Sequence, residues 1–265
     1  MTQASKLLIQ LTDTHCFADA TGSLAGVACN HTLAAIVQQI SQQHPKLDAI
    51  FLTGDLVQDH TPQAYQRLKA LLAPLSVPVY WTLGNHDTRT VAYTHFQGDF
   101  IHHESRLALG AWQLVAVDSV IDGQVSGYIT DAEITKLTQT LAANPIPTIV
   151  GLHHPPIEIN CKWLETICLQ NKQAFLEALQ PFPWVKVVLF GHIHQDFVEQ
   201  HEAICFMASP STCVQFKPHS DEFLLDCAAP GYRWIELYPD GRFATGVSRL
   251  QGFDTAQVDV SCMGY

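Results

Sequence analysis

At 265 residues and a hydrophobic fraction of 47%, the chain is long enough to bury a substantial core as one large domain or two small ones. A net charge of −11, from 25 acidic and 14 basic residues with no Lys/Arg-rich run, argues against a nucleic-acid footprint and against anionic membranes. A small anionic substrate stays open, because bound metal ions can supply local positive charge.

Met1 to Ser5 is short and polar, and the apolar run 7–11 is far too short for a signal core or a membrane span, so the expected location is cytoplasmic. The eight cysteines contain no CxxC and no regular framework, and are expected as reduced thiols. Residues 6–12 (KLLIQLT) form a buried strand ending at Asp13, and 18–30 form a loop with glycines at 22 and 26. Leu33, Ile36, Val37 and Ile40 recur at helical spacing, which predicts a helix over 31–43 with Pro45 just past its end. A strand over 47–53 delivers Gly54 and Asp55. Thr61 caps and Pro62 opens a helix with Tyr65, Leu68, Leu71 and Leu72 inward. A strand over 79–83 leads to Gly84-Asn85-His86-Asp87. Beyond it come a strand over 112–118, a helix over 131–141, a strand over 148–152 delivering His153, a helix over 171–179, and a strand over 185–190 delivering Gly191 and His192. The tail changes character: 204–208, 233–238 and 243–247 are strands without helices between them. The alternation predicts an α/β layered fold. With no repeat, low-complexity stretch or linker, one domain over 1–265 is expected, its strand-rich part at about 204–250 joining a second sheet.

Five segments carry the chemistry: Asp13-Thr14-His15, Gly54-Asp55, Gly84-Asn85-His86-Asp87, His153-His154-Pro155 and Gly191-His192-Ile193-His194. Most follow an apolar run, and in open α/β sheets ligands collect beyond the carboxyl ends of strands. Carboxylates and imidazoles gathered there suit two adjacent divalent ions, which can clamp a phosphate and generate a hydroxide to attack it. Asp55 is the natural shared carboxylate, since Gly54 lets the backbone turn sharply just before it. Asp13 and His15 lie two apart on what reads as an extended segment, so both point one way and can grip one ion; His192 and His194 repeat that spacing. Asn85 offers a weak neutral oxygen ligand. His86, pointing elsewhere, is the better proton donor to a leaving alkoxide, with Asp87 placed to orient its ring. Carboxylate and imidazole ligands suit Fe, Mn, Co or Zn.

The ordered set DxH, GD, GNHD, HH and GHxH resembles the signature of the calcineurin-like metallophosphoesterase superfamily over about residues 7–195. The resemblance implies a four-layer α/β/β/α sandwich of two mixed sheets, with a dimetal site at the strand C-terminal ends. It implies one ion held by Asp13, His15, Asp55 and His194, and another by Asp55, Asn85, His153 and His192. Substrate contacts are then expected from His15, Asp55, Asn85, His86, His154 and His194. Within the superfamily, Gln10-Leu11-Thr12-Asp13-Thr14-His15, Gly191-His192-Ile193-His194-Gln195, and the tail segments 209–218 (SPSTCVQFKP) and 229–233 (APGYR) resemble bacterial class III cyclic-nucleotide phosphodiesterases, which act on 3′,5′-cyclic AMP. The departure is the loop 25–30, longer than that pattern, which would bear on substrate choice if it bordered the pocket.

Each histidine taken singly is more simply a core or loop residue; it is the five segments jointly that carry the reading. Cys16 is expected as a packed thiol. Trp163 and Phe216 are core aromatics or a stacking surface for a purine. The expected activity is hydrolysis of 3′,5′-cyclic AMP to 5′-AMP. Its rivals are a broader phosphodiesterase acting on glycerophosphodiesters or 2′,3′-cyclic nucleotides, and a non-catalytic scaffold of the same fold. The sequence leaves a homodimer open.

Overall fold

The computed structural model describes residues 4–264, so Met1–Gln3, part of the leader assessment above, lie outside the described residues. Two six-stranded mixed sheets pack face to face. The first runs, in spatial order, Phe243–Arg249, Gly231–Leu237, Lys6–Leu11, Ala49–Thr53, Val79–Thr82, Ile101–His102. The second runs Phe197–His201, Ile204–Ala208, Val185–Phe190, Thr148–Gly151, Trp112–Ala116, Arg106–Leu109. In the second sheet the four inner strands pair in parallel and both edge strands antiparallel; in the first, Lys6–Leu11 through Ile101–His102 pair in parallel, and the two tail strands add antiparallel on one side.

The layering follows from the two-residue period of strands, which sends alternate side chains to opposite faces. Leu8, Phe51, Ile149, Val187, Leu189, Met207 and Ile235 meet between the sheets. Their neighbours Ile9, Ile50 and Leu52 face outward against Leu33, Ile36, Val37 and Ile40 of the helix Cys29–Gln43, and against Tyr65 and Leu68 of the helix Pro62–Leu72. Val150 and Val188 likewise face Leu137 and Leu141 of Asp131–Ala143, and Phe175 and Leu179 of Lys172–Leu179. Strands covered on both faces read as the unbroken apolar runs of the sequence. The expected cap is present, with the Thr61 hydroxyl accepting from the Ala64 N–H at 3.2 Å. Gln10 is fully buried and donates both to Thr53 Oγ1 (2.9 Å) and to the Phe190 carbonyl (2.8 Å), tying the two sheets together beside their carboxyl ends.

The tail corrects one expectation. Ile204–Ala208 does join the second sheet, but Gly231–Leu237 and Phe243–Arg249 join the first, with Ile9 opposite Trp234. Lys6–Leu11 has an open edge on the side away from Ala49–Thr53, and alternation alone cannot say which open edge a late strand will fill. The loop expected over 18–30 contains a small hairpin, Ser23–Leu24 with Val27–Ala28. The helix Arg89–His95 and the strands Arg106–Leu109 and Phe197–His201 carry too little apolar periodicity to be foreseen.

Candidate dimetal site

All five segments arrive at one place, just past the ends of parallel strands from both sheets. The backbone there is not extended. Asp13 (φ 49°), His15 (41°), Asp55 (48°), His192 (71°) and His194 (50°) are all left-handed, which corrects the expectation of extended Asp13–His15 and His192–His194 pairs. Such conformations cost of order 1–3 kcal/mol each and persist where the surroundings over-determine them. Here a web of hydrogen bonds does so. Asp13 N–H donates to the Gly54 carbonyl (3.1 Å), His15 N–H to that of Asp55 (3.0 Å), and Gly191 N–H to that of His153 (2.9 Å). His192 N–H donates to the Asp13 carboxylate at 3.1 Å.

Glycine is required where two of these loops touch. A Cβ on Gly84 would lie 2.1 Å from Asp55 N and 2.2 Å from Asp55 Oδ1. Gly84→Ala should therefore push Asp55 aside and lower kcat/KM by about 10²-fold, the cost of a misplacement near 1 Å. Kinetics with a p-nitrophenyl diester, beside metal content, check this; an unimpaired variant would show that the loops can part freely.

The ring nitrogens converge in two groups. In the first, His15 Nε2 lies 3.3 Å from His194 Nε2, His194 Nε2 lies 3.4 Å from Asp13 Oδ1, and His15 Nε2 lies 3.9 Å from Asp55 Oδ2. In the second, His153 Nε2 lies 3.3 Å from Asp55 Oδ2, 3.1 Å from Asn85 Oδ1 and 3.2 Å from His192 Nδ1. Asp55 Oδ2 belongs to both groups, while Asp55 Oδ1 accepts from His86 N–H at 2.8 Å.

The outward nitrogens fix what the inward ones can do. His15 Nδ1 meets Gln58 Oε1 (2.7 Å), His153 Nδ1 the Thr53 carbonyl (2.7 Å) and His194 Nδ1 the Val214 carbonyl (2.9 Å). Each of those partners is an acceptor, so each outward nitrogen carries a proton, and each inward Nε2 presents a lone pair whenever its ring is neutral. With both rings neutral, lone pairs would face each other across 3.3 Å, a spacing that a cation between them fits. Ligands on one ion with bonds near 2.1 Å lie roughly 3–3.5 Å apart, so these spacings fit.

Charge preferences differ from ring to ring. Burial alone would push His153 down, yet the Asp55 carboxylate outweighs it and raises the ring to about 9. Burial likewise opposes His194, but Asp13 raises it. Burial would raise Asp55 and Asp13, but the imidazoles hold both carboxyls low, Asp55 well below its usual range. Burial and then His86 push His15 down to about 3, and burial and then His153 push His192 far down. By themselves these residues hold the acids ionised and His15 and His192 neutral, while Asp55 and Asp13 bias His153 and His194 toward their protonated forms; those two protons would leave as the rings become ligands of a divalent metal.

His86 stands on the cavity wall, its ring 4.9 Å from the ring of His15. Asp87 does not orient it. The carboxylate instead accepts from Tyr65 Oη (2.9 Å), Gly84 N–H (2.9 Å) and Leu56 N–H (3.1 Å), stapling the Asp55 and Asn85 loops together. Burial and then Asp55 push it up to about 7. His154 is fully buried, with Nδ1 on Ser119 Oγ (2.8 Å) and Nε2 on the Val125 carbonyl (3.1 Å), so its ring braces the site instead of facing substrate. The reason is spacing: neighbouring residues past a strand end point to opposite sides, and His153 takes the inner one. Cys16 is a packed thiol that donates to Asn30 Oδ1.

The segment 209–218, which carries part of the subfamily resemblance, lies along the site. Ser211 Oγ donates to the Asp13 carbonyl (2.7 Å), the Val214 carbonyl holds His194, and Phe216 stacks on the His194 ring at 4.2 Å and 15°. The loop 25–30 does not line the cavity; its Ala25 carbonyl accepts from Asp259 N–H at 2.9 Å. Sequence reasoning assigns no site role to Gln58, Ser119, Tyr65 or Cys213, whose Sγ groups with His15 and His194 nitrogens within 4.8 Å. Tyr65 is expected only as an inward helix residue and Cys213 only within segment 209–218; their contacts reveal the rest.

The fold and these two nitrogen clusters define a metal-dependent phosphoester hydrolase site. The chain matches the calcineurin-like phosphoesterase family over residues 7–196, and it belongs to that family. It is 40% identical to the 3′,5′-cyclic adenosine monophosphate phosphodiesterase CpdA of Pseudomonas aeruginosa, over 100% of this chain and 97% of that one. It is 34% identical to a 3′,5′-cyclic-nucleotide phosphodiesterase of Nostoc over 92% of each. In three dimensions it is similar to a dimetal phosphatase from Danio rerio, with a TM-score of 0.65 at 14% identity over 93% of this chain and 99% of that one, a likeness of fold.

Proposed function

We propose that the chain hydrolyses 3′,5′-cyclic AMP to 5′-AMP at a dimetal centre. The observation that carries the chemistry is the position of Asp55 Oδ2, common to both groups of facing ring nitrogens and oxygens. Full-length relatedness to cyclic AMP phosphodiesterases supports the substrate.

In this reading Asp13, His15, Asp55 and His194 hold one ion, and Asp55, Asn85, His153 and His192 the other. Fe, Mn, Co and Zn all suit that donor set. Two ions held there supply Lewis acidity and a nucleophile at neutral pH. The rest falls to the chain. Gln58, Thr53 and Val214 fix the tautomers of the ligating rings. Asn85, on the cavity wall, has an amide Nδ2 that can donate to the phosphate while its oxygen would hold the ion. His86, its backbone pinned by Asp55, gives a proton to the ribose 3′-oxygen as the P–O bond breaks. A cytoplasmic location fits the eight free cysteines. Among the described residues no helix is long and apolar enough to cross a membrane.

Comparing kcat/KM for 3′,5′-cyclic AMP, 2′,3′-cyclic AMP and a glycerophosphodiester tests the reading. Cyclic AMP should lead by more than about tenfold, a difference of ~1.4 kcal/mol in transition-state binding. A lead for either of the other two would put the broader phosphodiesterase in its place. Full metal loading with no turnover of any would point to a scaffold.

A further inference from the structure

The cavity at the metal cluster has two unlike flanks. Asp55, Asn85, His86, His192 and His194 make the polar one. The other is apolar, and Trp163, Ile167, Phe216 and Phe223 dominate it; the described residues on that flank carry no charged group and no hydroxyl.

Three rings give this flank its shape. Trp163 meets Phe216 edge to face (5.1 Å, 76°) and Phe223 likewise (5.1 Å, 69°), and Phe216 meets Phe223 at 5.5 Å and 65°. They come from distant parts of the chain. Trp163 lies on the short helix Lys162–Glu165, and Phe216 and Phe223 belong to the tail hairpin whose strands are Gln215–Phe216 and Leu225–Asp226. Phe216 also lies flat on His194, so the aromatic surface begins one ring's thickness from the cluster. Core packing alone would seal such rings away. Trp163 and Phe223 are instead only half-buried, on a cavity that opens to the metal cluster. The Trp163 indole Nε1 is buried and has no acceptor among the described residues.

We propose that Trp163, with Phe216 and Phe223, forms the nucleobase subsite, and that Trp163 determines the preference for purine-bearing cyclic nucleotides over phosphodiesters without a base. The proposal rests on the phosphodiesterase reading above. Selection works through stacking and apolar burial: the cluster holds the cyclic phosphate, and the base finds an aromatic wall and no charged partner on it.

The test compares wild type, Trp163→Ala and Trp163→Phe on 3′,5′-cyclic AMP and on ribose 3′,5′-cyclic phosphate, which keeps the reacting diester and lacks the base. Trp163→Ala should raise KM for cyclic AMP roughly 5- to 150-fold, the usual worth of one base stacked on an aromatic ring. The loss on cyclic AMP should exceed that on the base-free diester by the same factor, with two ions per chain retained, and Trp163→Phe should recover most of it. Equal losses on both substrates, or an unchanged KM for cyclic AMP, would overturn the subsite. Phe223→Leu gives the same comparison on a second ring of the flank, should Trp163→Ala fail to fold. If metal-loaded wild type turns over neither diester, the phosphodiesterase reading fails on its own. Calorimetric binding of 5′-AMP against ribose 5-phosphate, in wild type and Trp163→Ala, then decides the subsite separately: a preference for 5′-AMP that Trp163→Ala abolishes sustains it, and equal binding sinks it.

Discussion

Asp55→Ala is expected to abolish turnover of cyclic AMP and to empty both metal positions together. Asp55 Oδ2 lies 3.3 Å from His153 Nε2 and 3.9 Å from His15 Nε2, so one carboxylate serves both ring clusters. Lewis-acid stabilisation is worth several kcal/mol, and a fall in kcat/KM of at least about 10³-fold corresponds to ~4 kcal/mol of barrier. The alanine also removes the acceptor of His86 N–H, so the Asn85–His86 loop would loosen. Asp55→Asn separates the two effects, because its amide oxygen can keep that hydrogen bond while the charge is gone. Inductively coupled plasma analysis of both variants reads the outcome. Two ions still bound to Asp55→Ala would refute the shared role.

His86→Ala should lower kcat on cyclic AMP by about 10²–10⁴-fold, equal to roughly 3–5 kcal/mol of barrier, with both ions retained. Its ring stands on the cavity wall beside His15, and its main chain is held by Asp55, which fixes where the imidazole meets the cavity. A ribose alkoxide is a strongly basic leaving group and departs slowly unprotonated. Bis-p-nitrophenyl phosphate releases a far weaker base and should lose much less. If both substrates lose equally, His86 binds or orients the phosphate and is not the acid.

The convergence of the five segments at one place was the most legible part of the chain. Apolar runs such as 6–12 and 185–190 end in Asp13 and His192, and parallel strands carry their ligands at that end. The geometry that brings Asp13 and His15 together was not legible, because a DxH spacing is the same string whether its backbone is extended or left-handed. Asp87 was misplaced for a related reason. A carboxylate beside His86 suggests a partner for that ring, but three donors from Tyr65, Gly84 and Leu56 claim it first, and two of those are backbone groups. His154 has an identical neighbour in sequence and the opposite direction in space. Segment 209–218 was informative because SPSTCVQFKP carried the subfamily resemblance, whereas Phe223, in the turn that follows, carried no such mark. Sheet membership of Gly231–Leu237 depends on which edge stands open in three dimensions, and nothing local encodes that.

Asp13, His15, Asp55 and Asn85 follow strands of the first sheet, while His153, His192 and His194 follow strands of the second. In the proposed assignment, each ion therefore takes ligands from both halves of the sandwich and acts as a rivet between them. A rivet of this kind is thermodynamically linked to folding, since the unfolded chain offers no assembled site. At a free metal concentration 100 times its dissociation constant, each ion would add about 2.7 kcal/mol to the free energy of unfolding. In that arrangement the supply of metal sets how firmly the two sheets are held as well as whether the site can work.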